Sequence, residues 1–253
     1  RKALVVAHVP QAALGRRRAA WSLAVLGGVV VVVLLPVAVL APGGLWDSFH
    51  AQSSRGLQIE SLGSAVLLAA HHLGFYEATV VRGATGAATR DLAGSLPDAL
   101  ATSTLVLQVA AVLAVWFLFL REPRSPDRLV LAFAAAVTGF LVFNKFVSPQ
   151  YLVWLIPLVL LLPGRTGLVA TGLVAASVVL GQIWFFHYSR VFELERIAWL
   201  VVVRDAALLA LYVLLLLRLK TSTPSSEKTS RQSGLRRSRA RSVAVANGSQ
   251  RSA

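Results

Sequence analysis

The chain has 253 residues, of which 56% are hydrophobic, and it carries a formal net charge of +14. Several apolar runs approach or exceed the roughly 18–20 residues that a transmembrane helix needs, which excludes an ordinary water-soluble domain and predicts an all-α polytopic membrane protein. The basic residues cluster at the ends of these runs and in the C-terminal stretch, a pattern of membrane orientation rather than of nucleic-acid binding. The absence of cysteine excludes disulfides and thiolate metal sites.

Six transmembrane helices are predicted in chain order. They cover residues 21–40, 99–120, 129–146, 150–162, 166–186 and 197–217. The fourth is short, because a helix of that length reaches only about 20 Å, against a hydrocarbon core of roughly 30 Å. We expect it to begin deep or to rely on flanking residues.

Residues 57–74 are interpreted as an interfacial or re-entrant helix at the outer face, closed by Gly74 as its C′ residue. This choice leaves six spans, puts both ends of the chain in the cytoplasm and fits the positive-inside rule better than a seventh span would. Residues 41–98 then form one large external loop, whose Gly- and Thr-rich second half predicts a small β-hairpin.

The predicted domains are a transmembrane domain at residues 1–219 and a tail at 220–253. The tail is rich in serine and arginine, so we expect it to be disordered and to contact anionic lipid of the inner leaflet. The chain contains no methionine and begins at Arg1. We interpret it as a fragment of a longer protein.

The junction FNKFVSPQYLVWLIP before the fourth helix carries the first candidate site. Ser148 is a good N-cap and Pro149 suits the first helical position, so the helix is predicted to begin there. Lys145 is placed at the end of the preceding helix, near the unpaired N–H groups of that start, and this combination suits a phosphate. Gln150 and Tyr151 add neutral hydrogen-bonding groups. The alternative is a snorkelling lysine beside an ordinary capped turn.

A second candidate site lies at the start of the 57–74 segment. Arg55 can bind a phosphate through two parallel hydrogen bonds, while Gln58 and Glu60 can orient a sugar hydroxyl or the arginine itself. The alternative is that Glu60 only complements a helix N-terminus. His71 and His72 point to different faces of one helix, so no metal site is predicted there.

The pair Arg204-Asp205 lies inside the sixth predicted span, where charges are costly and face a partner or a polar cavity. Adjacent helical residues do not face one another, so each is expected to pair with another helix.

Two of these stretches carry a family resemblance. RGLQIESLGSAVLLAAHHLG, residues 55–74, and NKFVSPQYLVWLIPL, residues 144–158, resemble the C-terminal half of glycosyltransferase family 87. These are bacterial, mainly actinobacterial-type, polyprenyl-phosphate-mannose-dependent enzymes of the glycosyltransferase-C superfamily. The string K-x-x-S-P-Q-Y-L-x-W is the more specific part, and the resemblance covers about residues 20–215.

The resemblance implies an inverting hexosyltransferase, of the mannosyltransferase type, in the bacterial plasma membrane. It would transfer a hexose from a polyprenyl-phosphate-sugar to a glycolipid or cell-wall glycan at the outer face, and no cofactor is expected. The residues implied in binding the donor phosphate are Lys145, Ser148, Gln150, Tyr151 and Arg55, with Gln58 and Glu60 orienting the substrate.

The catalytic acid of this superfamily lies in an early external loop that has no counterpart here. Asp47, Asp91 and Asp98 do not match its context, so no catalytic base is assigned, and the chain alone is expected to be inactive if that loop lies upstream. The alternatives are a transporter or lipid flippase, with Arg204, Asp205 and Lys145 along the substrate path, and a non-catalytic membrane subunit.

Overall fold

The structure, a computed structural model, describes residues 11–83, 89–122 and 125–221. It is mostly helical with one small antiparallel sheet. The chain forms two compact units, one up to Ser54 and one from Arg55 onward. The predicted tail, apart from its first two residues, lies outside the described residues.

The first unit is a pair of helices, α1 (Gln11–Leu40) and α2 (Pro42–Ser53). The helix direction bends by 112° at Ala41, between the part of α1 from Ala24 to Leu40 and α2. Pro42 begins α2 because a proline lacks the N–H that a continuing helix would need, while the first position of a new helix tolerates it. The predicted span 21–40 lies within α1.

The second unit opens with a three-stranded sheet. Its strands are β1 (Leu57–Gln58), β2 (Thr79–Arg82) and β3 (Arg90–Ala93), in the order β1-β3-β2, with both pairs antiparallel. The pair β2–β3 confirms the predicted hairpin. Strand β1 was not predicted, because two residues are too short to show an alternating pattern.

Helix α3 (Leu62–His72) follows β1 and is bounded by local signals in the sequence. The Ser61 hydroxyl accepts a hydrogen bond from the Ser64 N–H at 3.3 Å, and Gly74 closes the helix with a positive φ of 79°. That value favours glycine and confirms the C′ assignment. Eleven residues rise only about 16 Å, so α3 is too short to cross a membrane; its interfacial position stays a prediction.

The remaining helices form a bundle around the last of them. They are α4 (Ser95–Arg121), α5 (Pro126–Val142), α6 (Leu155–Leu160), α7 (Gly164–Phe186), α8 (Tyr188–Phe192) and α9 (Trp199–Thr221). Helix α9 packs against α3, α4, α5 and α7. At one end of the bundle the Arg128 guanidinium donates to the backbone carbonyls of Leu118 and Leu219, so it satisfies terminal carbonyls of α4 and α9.

Three helical segments of the described chain are long and apolar enough to span a membrane. They are Ser95–Arg121, Gly164–Phe186 and Arg196–Thr221, and the bent pair α1–α2 makes a fourth if it counts as one span. Helix α5 has 17 residues, and the segment Pro149–Leu160 is shorter still. By length and composition, these helices indicate a multi-pass membrane protein with three or four candidate spans in the described residues, against the six predicted.

The junction between α5 and the next helix differs from the sequence prediction in two ways. Helix α5 ends at Val142, so Lys145 lies in a turn rather than at a helix end. This turn is held by the Asn144 Oδ1 atom, which accepts from the Phe146 N–H at 3.2 Å. The next helix does begin at Pro149, but its first turns, Pro149–Trp154, are 3₁₀, and the Ser148 side chain makes no capping hydrogen bond.

Candidate functional site

Strand β1 brings the two predicted stretches side by side. The Gln58 N–H donates to the Lys145 carbonyl at 3.0 Å, and the Ile59 N–H donates to the Arg90 carbonyl at 2.9 Å. In the sheet, Gln58 is the register partner of Asp91. Backbone hydrogen bonds therefore join segments that are far apart in the chain, at the end of the bundle where α5 stops.

A shallow cleft that is open to solvent lies at this meeting point. It is lined by Arg55, Gly56, Gln58, Thr89, Asp91 and Phe146. The Arg55 guanidinium carbon lies 4.8 Å from the centre of the Phe146 ring, a cation–π contact that holds the side chain over the cleft. Its Nε atom is buried and makes no hydrogen bond to any described residue. Arg55 therefore lines the cleft with one N–H group that has no partner among the described residues.

Arg55, Lys145 and Asp91 form one electrostatic group. Burial raises the pKa of Asp91, while the positive charges of Arg55 and Lys145 and a hydrogen bond from the Gly56 N–H lower it. Burial and the nearby Arg55 lower the pKa of Lys145, and Asp91 opposes that shift. With all three ionised, two cations face one carboxylate, which leaves the group with an excess positive charge.

Glycine at position 56 lets the Asp91 carboxylate come this close to the chain. A Cβ atom at Gly56 would lie 3.0 Å from the Asp91 Oδ2 atom and 3.3 Å from its Cβ. A larger residue at position 56 would push the Asp91 side chain away from this part of the chain. The RG pair at 55–56 thus supplies both a cation and the space beside it.

A second charged cluster, of Glu60, Arg204 and Asp205, is buried next to β1. The Arg204 side chain is fully buried, with its Nε 2.9 Å and its Nη2 2.8 Å from the Asp205 Oδ1. Its Nη2 also donates to the Glu60 backbone carbonyl, and its Nη1 lies 3.8 Å from the Glu60 Oε2. Arg204 therefore ties the turn after β1 to the interior of α9.

This cluster corrects one expectation from the sequence. Arg204 and Asp205 were each expected to pair with another helix, yet they bond to each other, because the long arginine side chain reaches the carboxylate of the next residue. Arg204 also engages the Glu60 turn, which the sequence placed outside the spans.

Glu60 is the carboxylate that this arrangement leaves without a full partner. Its Oε1 accepts from the Gln58 Nε2 at 3.4 Å, and its Oε2 makes no hydrogen bond within the described part of the chain. Burial raises the pKa of Glu60 to about 8, with Arg204 lowering it and Asp205 raising it. A carboxyl group in such a setting can hold or release a proton near neutral pH.

The other predicted site residues lie in different surroundings. Tyr151 packs against the helical core, with its ring 5.1 Å from that of Trp154, and Gln150 is exposed. Ser148 is half-buried at the start of the 3₁₀ turn. The structure thus brings Arg55, Gln58, Glu60 and Lys145 into one region.

Sequence reasoning missed two members of this region, Asp91 and Tyr188. Burial, together with the negative charges of Glu60 and Asp91, raises the pKa of Tyr188 to about 12, and the positive charge of Arg90 opposes this shift. Its ring stacks on the buried Trp184 at 5.0 Å. No local motif marks either residue, and only the β1–β3 register and the α7–α8 turn place them here.

No group of three or more histidine, aspartate or glutamate side chains in residues 11–83, 89–122 and 125–221 is placed to hold a metal ion. Comparisons of the chain with protein-family models, with curated proteins and with solved structures give no match.

Proposed function

We propose that this chain is the C-terminal part of an inverting membrane hexosyltransferase. The donor is a polyprenyl-phosphate-sugar, with mannose as the first sugar to test, and the acceptor is a glycolipid or cell-wall glycan at the outer face of the bacterial plasma membrane. The observation that carries this proposal is the cleft lined by Arg55, next to which a backbone hydrogen bond from Gln58 holds the turn of Lys145.

The cleft suits the phosphate of a lipid carrier for two physical reasons. Arginine and lysine together offer bidentate and point-charge contacts to phosphate oxygens. Large apolar side chains remain exposed on the neighbouring helices, such as Leu105 on α4 and Val153 before α6, and a prenyl chain can lie against such surfaces within the bilayer. Two cationic side chains near the end of apolar helices therefore suit an amphiphilic anion.

The chemical step needs a base, a sugar carbon and a leaving phosphate. A base takes the proton of the acceptor hydroxyl, the acceptor oxygen bonds to the anomeric carbon, and the bond from that carbon to the phosphate oxygen breaks. The released polyprenyl phosphate keeps the electron pair of the broken bond, and Arg55 and Lys145 stabilise its added charge. We assign no base within this chain and expect it from the upstream part of the protein.

The proposal includes the six-span topology, with both ends of the chain in the cytoplasm. In this arrangement α5 and the Pro149–Leu160 segment complete the spans, and the sheet and the Lys145 turn share the outer face. Because the chain has no cysteine, labelling of a single introduced cysteine reports the side of the membrane on which that residue lies. We expect Glu77→Cys to be labelled by an impermeant maleimide from outside intact cells, and Glu122→Cys only after the membrane is opened. Labelling of position 122 but not 77 from outside would invert the topology.

Donor binding tests the proposed function directly. The full-length protein in lipid nanodiscs should bind polyprenyl-phosphate-mannose saturably. Polyprenyl phosphate should compete, and polyprenol, which has the same chain without phosphate, should compete at least tenfold less well, because charge-assisted contacts dominate the site. Equal competition by polyprenol would rule out phosphate recognition. A transferase also releases polyprenyl phosphate when acceptor is added, whereas a transporter would leave the donor intact.

A further inference from the structure

Asp91 occupies an unexpected position for a carboxylate, in the wall of a cleft suited to an anion. It is 8% exposed and lies opposite Gln58 in the sheet, with Arg55 in the same cleft wall. The Asp91 carboxylate lies directly beside Gly56, where an added Cβ atom would come within 3.0 Å of its Oδ2 atom. Any anion that binds between Arg55 and Lys145 must therefore lie close to a fixed negative charge.

The position of Asp91 argues against its acting as the base of the transfer. In an inverting displacement the acceptor attacks the anomeric carbon from the side opposite the leaving phosphate. Arg55 and Lys145 are proposed to hold that phosphate, and Asp91 lines the same cleft as Arg55. A carboxylate on the leaving-group side cannot take the proton of an acceptor on the opposite side, so Asp91 needs another role.

The charges around Asp91 indicate that role. Arg55 lines the same cleft as Asp91, and the turn of Lys145 adjoins that cleft through the hydrogen bond from the Gln58 N–H to the Lys145 carbonyl. A phosphodiester, such as a polyprenyl-phosphate-sugar, carries a single negative charge. A phosphate monoester carries about 1.5 to 2 negative charges at pH 7. A fixed carboxylate in the wall of the cleft repels the doubly charged monoester more strongly than the singly charged diester.

We propose that Asp91 is a specificity-determining residue, which makes the cleft select singly charged phosphodiesters over doubly charged phosphate monoesters. This inference rests on the proposed function and deepens it. The donor is a phosphodiester and the product, polyprenyl phosphate, is a monoester, so the same carboxylate favours donor binding and repels the product once the sugar has left. Asp91 then limits product inhibition.

The test compares two ligands on two proteins. The full-length protein and its Asp91→Asn variant, in lipid nanodiscs at pH 8 and 0.15 M salt, are titrated with polyprenyl-phosphate-mannose and with polyprenyl phosphate. We expect the wild type to prefer the diester and Asp91→Asn to shift the ratio of the two dissociation constants at least about tenfold toward the monoester, because one charge at contact distance is removed. Asp98→Asn, at an exposed aspartate of α4, is the matched control and should leave the ratio unchanged.

Three outcomes are distinguishable. An unchanged ratio in Asp91→Asn, with both ligands still lost in Lys145→Ala, overturns the role of Asp91 and leaves the phosphate site intact. Binding of both ligands that is unaffected in Lys145→Ala overturns the proposed function itself. If Asp91→Asn does not fold, as judged by its thermal unfolding, Asp91→Ser provides the second neutral variant, and a ratio equal to that of the wild type would again overturn the inference.

Discussion

Replacing Arg204 by leucine is expected to destabilise the protein by about 3–5 kcal/mol, the range seen when one partner of a buried ion pair is removed. The guanidinium is fully buried and is shared by the Asp205 carboxylate and the Glu60 turn. Without it, two buried carboxyl groups lose their cation and the Glu60 carbonyl loses its donor. Thermal unfolding in detergent, followed by tryptophan fluorescence, measures the loss.

Arg218→Leu is the matched control for this experiment, because Arg218 lies on the same helix but is exposed. We expect it to stay within about 0.5 kcal/mol of the wild type. Adding Asp205→Leu and Glu60→Gln to Arg204→Leu should recover much of the stability, since neutral side chains need no counter-ion. If Arg204→Leu unfolds at the same temperature as Arg218→Leu, the buried cluster does not hold the turn to α9.

Replacing Lys145 by alanine in the full-length protein is expected to lower hexose transfer from polyprenyl-phosphate-mannose at least tenfold. Lys145 lies beside Arg55 and Asp91, so its charge adds to that of Arg55 where the leaving phosphate is proposed to bind. That phosphate gains negative charge as the sugar leaves, so the lysine should contribute more in the transition state than in the ground state. Turnover of labelled donor in the presence of acceptor measures the effect, and kcat should fall as well as donor affinity.

Lys220→Ala is the matched control, since Lys220 lies exposed at the end of α9. Lys145→Arg keeps the positive charge and should recover part of the lost turnover, which a purely structural role of the lysine would not predict. Turnover in Lys145→Ala equal to that of the wild type would remove the phosphate site from the Lys145 turn.

Much of the local structure follows from the sequence alone. Long apolar runs predict membrane helices because the hydrocarbon core requires about 20 apolar residues in a row. Gly74 marks the end of α3 because its positive φ suits glycine, and Pro149 marks the next helix start because proline lacks an N–H. Arg55 and Lys145 were proposed as site residues from local patterns, since cations beside turn signals are conspicuous within apolar sequence.

The tertiary structure alone decided which of these residues meet. Strand β1 is too short to be seen in the sequence, yet its hydrogen bonds to Lys145 and to β3 place Arg55, Asp91 and the Lys145 turn around one cleft. Arg204 was visible as a charge inside a span, but its partnership with the Glu60 turn depends on how α9 packs against α3. Local patterns report the preferences of neighbouring residues, whereas a site built from separate segments depends on packing and strand register.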